Sequence, residues 1–588
     1  MRSSVLSPDR RARDLARSSS APFDVLVVGG GVVGAGSALD AASRGLSTAL
    51  VEAQDWGSGT SSRSSKLIHG GLRYLQMMDF GLVREALKER GLLLQRLAPH
   101  LVRPVPVLYP LRRPVVERAY VGAGIALYDL LGWSSRTSRG LPLHRHLSKR
   151  AALAAAPGLR GDSLVGAVEY YDAQVDDARY VLELVRSAAS LGAVALSRVA
   201  VTGFLREGER VVGVHVRDEE SGLEHDVTAR VTVLATGAWT EETEALAGRE
   251  RVTLVRPSKG VHLVVPREAI PSSVALILRT EKSVLFVLPW GAHWLIGTTD
   301  TDWVHDKARP VATARDVDYL LGEVNSILER PLSPADVEAV FAGLRPLVAG
   351  VGVVRGPGEP GATRREATSA EPTTKLSREH AVGRPLPGLV VVSGGKYTTY
   401  RVMAADAVDA AVSDGGFRDV PPSLTEEVPL VGATGYRTLW NQRRRIAESQ
   451  GLSLEATEHL LGRYGGLVEE VLAALVVEPS LAAPLSKAPE HLRAEVVHAV
   501  THEDARHLED VLLRRTRIGM ETRDAGAGCA EEVADLLAGR LGWDEKAKAA
   551  ELEDYRRQAD LVRRAASLRD EDEAARLVAE TPSLLPLP

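Results

Sequence analysis

Three glycines and one acid near the start of the chain have the spacing of a dinucleotide-binding site. Gly29, Gly31 and Gly34 form a GxGxxG pattern, and Glu52 follows at the end of the next predicted strand. In such a site the first glycine makes a tight turn, the second lets the backbone approach a pyrophosphate, and the third lets a helix pack close to a sheet. The acid accepts hydrogen bonds from the adenosine ribose hydroxyls, so the pattern disfavours NADP. It does not distinguish NAD from FAD.

A second group of residues suited to phosphate follows directly. Residues 59–75 read GTSSRSSKLIHGGLRYL and contain Thr60, Ser61 and Ser65. Hydroxyl groups and glycine N–H groups make a good surface for phosphates and for a ring system. Because apolar residues are interleaved with the hydroxyls, we expect this stretch to line a site rather than to form a solvated serine loop.

Several basic residues lie in loops that begin or end predicted strands. They are Arg73, Arg345 and Lys396, with Arg378 as a candidate fourth. A guanidinium can bind a phosphate through two parallel hydrogen bonds, and a lysine adds a point charge. If these side chains converge, they form a clamp for an anionic substrate. Their spacing alone leaves open whether they converge or are solvated.

The glycine pattern requires a strand before it and a helix after it, and the sequence supplies both. Residues 23–28 and 47–51 are apolar runs that suit buried parallel strands. Residues 231–238 and 388–401 repeat the change from an apolar strand to a glycine turn. The glycines of these two turns that would close over the dinucleotide are Gly237, Gly394 and Gly395. The dinucleotide domain is therefore predicted to be assembled from separated segments.

Composition limits the class of protein. The chain has 588 residues, 45% of them hydrophobic and 25% charged, with a net charge of −5. This length suits two or three domains of a soluble globular protein, and the charge gives no reason to expect a nucleic-acid partner. The single cysteine, Cys529, excludes an intrachain disulfide framework and CxxC metal sites. No metal site is predicted, and no apolar run is long enough for a transmembrane helix.

Changes in pattern divide the chain into five predicted parts. Residues 1–22 are rich in arginine and serine, and their two acids favour a flexible tail over an organelle transit peptide. The predicted parts are a flexible tail at 1–22, a dinucleotide domain at 23–250 and 386–415, a strand-rich cap at 251–385, a linker at 416–432 and a helical domain at 433–588.

Residues 100–150 differ from their surroundings. They contain nine lysines and arginines against two acids, and they include the apolar and aromatic stretch Ala119–Trp133. A basic segment beside an apolar, aromatic helix is typical of a helix that lies in a membrane interface. A core helix next to a basic loop would give the same pattern, and the pattern alone leaves both interpretations open.

The chain closely resembles the FAD-dependent glycerol-3-phosphate dehydrogenases, the respiratory enzymes that reduce quinone. The matching stretches run in order over roughly residues 23–520, and HGGLRYL and SGGKYTTYR are the most specific of them. The others are VVGGGVVGAG, LVEAQDWGSGTSSRSSKLI, EYYDAQVDDAR, VLATGAW, PSKGVHLVVP, FVLPW, GTTDTDW, GLRPL, LSREH and LRRTRIGM.

The resemblance implies an α/β fold. We expect a Rossmann-type FAD-binding domain built from discontinuous segments, a mixed α+β substrate cap and an all-α C-terminal domain. It implies FAD rather than NAD. It also implies a homodimer in the cytoplasm, peripheral on the inner face of the cell membrane, which favours membrane contact by residues 100–150.

The resemblance also assigns residues to roles. Those that match flavin-contacting residues of the family are Gly29, Gly31, Gly34, Glu52, Ser61, Ser65, Gly394, Gly395, Lys396 and Thr398. Those that match residues holding the substrate phosphate and hydroxyls are Arg73, Tyr74, Arg345, Arg378 and Lys396.

The predicted reaction is oxidation of sn-glycerol 3-phosphate to dihydroxyacetone phosphate. In this hypothesis the arginines hold the phosphate, the C2 hydroxyl loses its proton to a base, and a hydride passes from C2 to flavin N5. His69 and His262 are candidate bases by residue type, and Lys396 could stabilise the anionic reduced flavin. The electrons then pass to a membrane quinone. The alternatives are a soluble oxidase that uses oxygen, another amine or hydroxy-acid oxidase of the same fold, and a flavin-binding sensor.

Overall fold

The computed structural model is organised around two large sheets and a helical C-terminal region. In the described residues one sheet has eight strands and the other has ten. The residues that the structure describes are 3–71, 79–134, 141–248, 253–280, 284–351 and 379–585.

The strands are short to medium in length and alternate with helices in the first half of the chain. In chain order they are β1 (Phe23–Val28), β2 (Thr48–Val51), β3 (Leu67–Ile68), β4 (Arg103–Leu111), β5 (Arg145–Ser148), β6 (Gly166–Gln174), β7 (Val194–Leu196), β8 (Val199–Glu207), β9 (Arg210–Asp218), β10 (Glu224–Leu234), β11 (Thr253–Pro266), β12 (Ala275–Arg279), β13 (Val284–Trp290), β14 (His293–Gly297), β15 (Thr301–Asp302), β16 (Ala339–Val351), β17 (His380–Leu386), β18 (Leu389–Gly394), β19 (Pro484–Leu485) and β20 (Ala488–Leu492).

The helices become dominant after residue 400. In chain order they are α1 (Pro8–Ser18), α2 (Val32–Ser43), α3 (Phe80–Leu92), α4 (Val116–Ser134), α5 (Lys149–Ala155), α6 (Asp177–Ser190), α7 (Thr240–Ala245), α8 (Ala314–Asn325), α9 (Tyr400–Gly415), α10 (Tyr436–Asn441), α11 (Arg443–Gln450), α12 (Leu454–Tyr464), α13 (Val468–Val477), α14 (Arg493–Glu503), α15 (Ile518–Glu521), α16 (Ala530–Leu541), α17 (Glu545–Ser567) and α18 (Glu571–Glu580).

The first sheet brings distant segments to one edge. Its strand order is β17-β18-β10-β1-β2-β7, and β1 pairs in parallel with both β2 and β10, while β10 pairs in parallel with β18. The strands are almost wholly apolar and buried, which suits a parallel sheet covered on both faces. Because parallel strands end at the same edge, the turns after β1, β2, β10 and β18 lie side by side. A glycine or an acid occupies each of these turns.

The second sheet combines strands from two parts of the sequence. Strands β3 to β6 come from residues 67–174, and β11 to β16 come from residues 253–351. The two sets join where β4 pairs in parallel with β12, with Val107 opposite Ala275. The predicted division at residue 251 therefore separates strands that belong to one sheet. Local apolar patterns identify each strand, but they carry no information about a partner that lies far away in the chain.

The expectation of a flexible tail at residues 1–22 is wrong for its central part. Residues 8–18 form α1, which begins after Ser7, whose hydroxyl accepts a hydrogen bond from the Arg10 N–H at 3.2 Å. The Arg11 guanidinium donates at 2.5 Å to Asp218 on β9, and Arg11 is only 5% exposed. The helix is strongly polar overall and is held in part by such ion pairs, so a search for apolar residues does not identify it.

The C-terminal region is helical, as the sequence predicts, apart from the small hairpin of β19 and β20. Residues 416–432, the predicted linker, contain turns but no helix or strand. Buried arginines join the helical region to the first sheet. Arg515 donates to both oxygens of the Asp55 carboxylate at 2.6 and 2.7 Å, and Arg179 pairs with Glu503. These paired charges are buried in the interface, where each charge needs a partner.

Candidate active site

One cavity of about 1630 Å³ runs along the shared edge of the first sheet and continues against the second sheet. Its volume exceeds the ~300–1,000 Å³ of ordinary small-molecule pockets, so it has room for a dinucleotide together with a substrate. The site residues predicted from the sequence that line it are Gly29, Gly31, Glu52, Thr60, Ser61, Ser65, His69, Gly237, His262, Arg345, Gly394, Gly395, Lys396 and Thr398.

The glycine turn after β1 has no space for side chains. Gly29 has φ of 107°, in the region that favours glycine, and a Cβ on Gly34 would lie 1.8 Å from the Gly29 carbonyl oxygen. Gly34 does not line the cavity; its missing side chain allows α2 to cross the end of β1 closely. A Cβ on Gly31 would lie 3.2 Å from the Ser61 hydroxyl. The bare backbone at Gly31 is therefore open to a bound group.

The helix N-terminus at this end suits a pyrophosphate. The N-cap of α2 is Gly31, which gives no side-chain hydrogen bond, and Gly31, Val32 and Val33 line the cavity. The Val32 N–H donates to the Ser61 hydroxyl at 3.0 Å, which places that hydroxyl at the start of the helix. Main-chain N–H groups and the positive end of a helix dipole are the usual partners of a phosphate.

Glu52 is held in place by the backbone. One carboxylate oxygen accepts from the Gly30 N–H at 2.5 Å and the other accepts from the Gln54 N–H at 2.8 Å. Burial raises the pKa of this carboxyl, and the two backbone donors partly offset that effect. Each carboxylate oxygen can accept a further hydrogen bond. The side chain therefore suits the two hydroxyls of a ribose.

His262 is a buried neutral histidine at the other end of the cavity. It lies on β11, is 2% exposed, and stacks on Phe341 with 4.9 Å between the ring centroids. Its Nε2 lies 2.8 Å from the Ser65 hydroxyl. Burial, followed by the positive charges of Arg345 and Lys66, holds the pKa of His262 well below its usual range. At pH 7 the ring is therefore uncharged.

His69 and Lys396 come from two segments that meet beside the same cavity. The His69 N–H donates to the Thr398 hydroxyl at 3.2 Å, and the His69 ring lies 6.4 Å from the ring of Phe286. Lys396 is the N-cap of the short turn Tyr397–Thr399 that follows β18. The loop after the first sheet therefore packs against the end of β3. This contact brings two of the predicted catalytic residues to the boundary between the sheets.

Arg345 is directed into the cavity by its strand. It lies on β16 opposite Ser258 of β11, and its guanidinium donates to the Thr298 hydroxyl at 2.8 Å. Asp300 lies 3.7 Å from the same guanidinium. A Cβ on Gly260 would lie 2.5 Å from an Arg345 nitrogen, so this glycine makes room for the guanidinium. The position of the Arg345 guanidinium is therefore set by its contacts with Thr298 and Asp300 and by the open space at Gly260.

The structure does not test the whole of the predicted clamp. Arg73, Tyr74 and Arg378 lie outside the described residues. Arg345 and Lys396 are the members of the predicted clamp whose positions are described, and both line the cavity.

Sequence reasoning missed a buried ion network that supports the hydroxyl-rich stretch. Lys66 has φ of 58° and is fully buried, and its Nζ donates to the Asp177 carboxylate at 2.8 Å. That carboxylate also accepts from the Ser64 hydroxyl at 2.7 Å and pairs with Arg517. Burial first, and the Arg517 charge second, lower the pKa of Lys66 to about 8. The partners are far apart in the chain, so no local spacing signals the network.

The cavity extends away from the histidines along an apolar path. Beyond His69 it is bounded by β12, β13 and the inner side of α4. Its lining residues there include the apolar Val121, Ile125, Leu127, Ile277 and Phe286, together with the charged Arg112, Glu117 and Arg279. Tyr120 also lines it and is 59% exposed, so the path reaches the protein surface beside α4.

The outer face of α4 is apolar and exposed to solvent. Val116, Leu130 and Trp133 are 77%, 60% and 67% exposed. The residues between them on this face are Ala119, Tyr120, Ala123 and Ala126, which are also exposed. The opposite face, with Ile125 and Tyr128, is buried in the core. Among the described residues, no helix is both long enough and apolar enough to cross a membrane.

Comparison with known protein families matches nearly the whole chain. The family described as FAD dependent oxidoreductase matches residues 24–401, and the C-terminal domain of alpha-glycerophosphate oxidase matches residues 423–548.

Individual relatives are similar over most of their length. Glycerol-3-phosphate dehydrogenase 2 of Mycobacterium tuberculosis is 53% identical over 539 residues, which cover 92% of this chain and 88% of that protein. The mitochondrial glycerol-3-phosphate dehydrogenase of Homo sapiens is 35% identical over 574 residues, covering 94% of this chain and 75% of that protein. The crystal structure of glycerol-3-phosphate dehydrogenase from Bacillus halodurans complexed with FAD superimposes with a TM-score of 0.74 at 28% identity, covering 94% of this chain and 98% of that one.

Proposed function

We propose that this chain, which belongs to the family of FAD-dependent glycerol-3-phosphate dehydrogenases, oxidises sn-glycerol 3-phosphate to dihydroxyacetone phosphate. The observation that carries the proposal is the single cavity in which a dinucleotide cradle, two histidines and Arg345 meet. A cradle alone would suit any flavoprotein of this fold. The added cations and proton acceptors suit a substrate that carries both a phosphate and a hydroxyl to be oxidised.

The residues present fit FAD. The start of α2 would hold the pyrophosphate, Glu52 would hold the ribose, and Ser65 with residues 394–398 would line the flavin end. Bound FAD supplies the acceptor, at N5, for the hydride that leaves C2 of the substrate. Lys396, in the turn at that end of the cavity, would place a positive charge beside the reduced cofactor.

Arg345 would bind the phosphate of the substrate. Its guanidinium is held by Thr298 and by the nearby Asp300, which leaves it in a fixed orientation beside the cavity. A phosphate does not react, so its binding energy can be used to position C2 for hydride transfer. Arg73, Tyr74 and Arg378 are proposed to complete this clamp on the strength of the family resemblance.

His262 would accept the proton of the C2 hydroxyl. Its ring is neutral at pH 7 because burial and neighbouring cations hold its pKa low. In the part of the chain that the structure describes, its Nδ1 is buried and has no hydrogen-bond partner, while Nε2 is engaged with Ser65. His69 is the second candidate, since it lines the same cavity. Mutation of each histidine separates the two assignments.

The electrons would leave to a membrane quinone. The apolar path along the inner side of α4 offers a lipophilic acceptor a route from the surface toward His69. The outer side of the same helix exposes Val116, Tyr120, Leu130 and Trp133, a pattern typical of a helix lying in a membrane interface. We therefore propose a peripheral protein on the inner face of the cell membrane, with α4 in contact with lipid.

The first experiment is an anaerobic visible spectrum of the purified protein. Addition of sn-glycerol 3-phosphate should bleach the oxidised flavin band, whereas glycerol, which lacks the phosphate, and amino acids should leave it unchanged. A band that stays oxidised with sn-glycerol 3-phosphate would overturn the substrate assignment. Bleaching by an amino acid instead would favour an amine oxidase of the same fold.

A second experiment tests the acceptor and the membrane contact. The double variant Leu130→Ser, Trp133→Ser should sediment less with anionic vesicles and should lose activity with long-chain quinone. Val477→Ser is the matched control, because Val477 is 86% exposed on α13, away from α4. Equal vesicle binding by all three proteins would contradict the role of α4. Fast peroxide production in air, with no stimulation by quinone, would favour the oxidase.

A further inference from the structure

Strand β16 connects the cavity to the C-terminal helices. Arg345 and its neighbour Leu344 point to opposite faces of the strand because side chains alternate along a strand. Both residues line the cavity, and the Leu344 side chain is 3% exposed and packs in an apolar cluster with Leu561, Ala565 and Val578. The back of the strand that carries the proposed phosphate ligand is therefore covered by side chains from the far C-terminal part of the sequence.

The covering element is a helical hairpin, which we call the C-terminal hairpin, formed by α17 (Glu545–Ser567) and α18 (Glu571–Glu580). It begins close to residue 548, where the match to the oxidase C-terminal domain ends. The hairpin is also anchored through its connection, since the Ala314 N–H donates to the Leu568 carbonyl at 2.8 Å. These contacts join it to the cap and to the loop that leads into α8.

A buried lysine links the hairpin to the same pair of strands. Lys259 on β11 lies opposite Leu344 on β16 and is 1% exposed. Its Nζ donates to the Asp316 carboxylate at 2.9 Å and forms an ion pair with Glu571 of the hairpin. It also lies 5.2 Å from the ring of Trp303. A buried ammonium group needs such compensation, because an unpaired buried charge is strongly unfavourable.

The position of Lys259 bears directly on Arg345. The next residue along β11 is Gly260, and the Arg345 guanidinium occupies the space where a Gly260 side chain would lie, 2.5 Å from that Cβ position. A shift of β11 toward or away from the hairpin would therefore move the backbone at Gly260, against which the Arg345 guanidinium packs. Leu344 lies on the partner strand, β16, beside Arg345. A change in the packing of the apolar cluster around Leu344 would therefore also shift Arg345.

From these contacts we propose that the C-terminal hairpin positions Arg345 for the substrate phosphate, and that the Glu571–Lys259 ion pair is the polar contact that sets this position. Glu571 is a positioning residue, since it touches Lys259 and not the cavity. This inference rests on the proposed function, because it assigns Arg345 to the phosphate. It predicts that changes in the C-terminal hairpin raise the KM for the substrate more than they lower kcat.

The test compares Glu571→Gln with Glu573→Gln. Both variants remove one negative charge from the first turn of α18, but Glu573 is exposed to solvent and Glu571 pairs with Lys259. In the holoenzyme, Glu571→Gln should raise the KM for sn-glycerol 3-phosphate about tenfold, less than the ~10²-fold that a displacement of a full ångström can cause. The kcat should fall by a smaller factor than the KM rises, and Glu573→Gln should match wild type in both parameters. Glu571→Asp retains the negative charge, so its KM should rise by no more than about half as much as that of Glu571→Gln.

A second variant removes residues 569–588 and with them α18. It should retain FAD and show a KM at least as high as that of Glu571→Gln. If this shortened chain does not fold, the point variants decide alone. A KM for Glu571→Gln within about twofold of wild type, or an equal rise in Glu573→Gln, would overturn the positioning role.

The wild-type protein in the same assay separates the two proposals. If sn-glycerol 3-phosphate does not reduce the wild-type flavin, the proposed function fails. If it does, and Glu571→Gln behaves like wild type, the function stands and the positioning role fails.

Discussion

The two ends of the cavity are built in different ways. The nucleotide end consists mainly of main chain from one continuous segment, with Gly29, Gly31 and Gly34 followed by Glu52. The proposed substrate end consists of side chains, and His69, His262, Arg345 and Lys396 come from four separate segments on two sheets. The nucleotide end depends on positions that carry no side chain, whereas the substrate end depends on particular charges and proton acceptors. An added methyl group should therefore damage the first end, and the loss of a charge should damage the second.

The largest effect is expected from a methyl group at the nucleotide end. In Gly34→Ala the new Cβ would lie 1.8 Å from the backbone oxygen of Gly29, which cannot move aside as a flexible side chain would. Helix α2 must then separate from β1, so we expect a protein that is purified without FAD or does not fold. Flavin content and thermal melting measure this. Gly539→Ala is the control, since Gly539 lies in α16 with open space around it. A Gly34→Ala protein with full FAD content would contradict the close crossing.

A loss of comparable size, but confined to catalysis, is expected at the substrate end. His262→Asn should lower kcat by about 10²–10⁴-fold, the usual range for a lost general base, while FAD content stays normal. His69→Asn should cost clearly less if His262 is the base. Stopped-flow reduction of the flavin measures the chemical step directly. A larger loss in His69→Asn than in His262→Asn would transfer the role of base to His69.

Replacement of Arg345, the proposed ligand of the substrate phosphate, should have the next largest effect. Arg345→Ala should lower kcat/KM by about 10²–10³-fold, because loss of a charge-assisted contact costs about 2–5 kcal/mol. The KM should rise strongly, and kcat should also fall, since the phosphate positions C2. Arg330→Ala is the control, because the Arg330 side chain is 77% exposed and its nearest acid, Asp336, lies 3.7 Å away. Wild-type constants in Arg345→Ala would place the phosphate elsewhere.

The same contrast explains what the sequence could and could not predict. The glycines and the acid of the nucleotide end could be predicted because they lie within one stretch of the sequence and have the spacing that a dinucleotide-binding turn requires. At the proposed substrate end, residue type suggested His69 and His262, but the presence of Arg345 and Lys396 in the same cavity depends on two sheets meeting, and only family resemblance indicated it. Long-range ion pairs could not be predicted for the same reason. One of them joins Arg11 to Asp218 and attaches the helix of residues 8–18, where a flexible tail was expected, to β9.

The pH dependence of catalysis should depend on the charges around His262. Burial and the charges of Arg345 and Lys66 hold the pKa of His262 well below 6.5, so the ring stays neutral, the form that the proposed base requires, until the pH falls well below that value. We expect the acid limb of the kcat/KM profile far below pH 6.5 in the wild type. In Arg345→Ala the limb should move to higher pH because one repelling cation is gone, whereas Arg345→Lys should leave it in place. A wild-type limb at pH 6.5 or above that remains after correction for the substrate phosphate, whose second pKa is about 6, would exclude His262 as the base.

The smallest effect is expected from a histidine outside the cavity, which should influence stability and not catalysis. His507 lies between Glu551 of α17 at 2.7 Å and Glu220, after β9, at 3.0 Å, with Arg506 and Asp510 close by. Although burial lowers it, hydrogen bonds to these two glutamates raise the pKa of His507 to about 10. A raised pKa in the folded state gives stability that is fully present below pH 6.5 and is lost as the pH rises through about 10. The melting temperature should therefore fall by about a few °C between pH 6.5 and 10, and His507→Gln should flatten this dependence without changing kcat/KM at pH 7. An unchanged slope in His507→Gln would show that other groups titrate there.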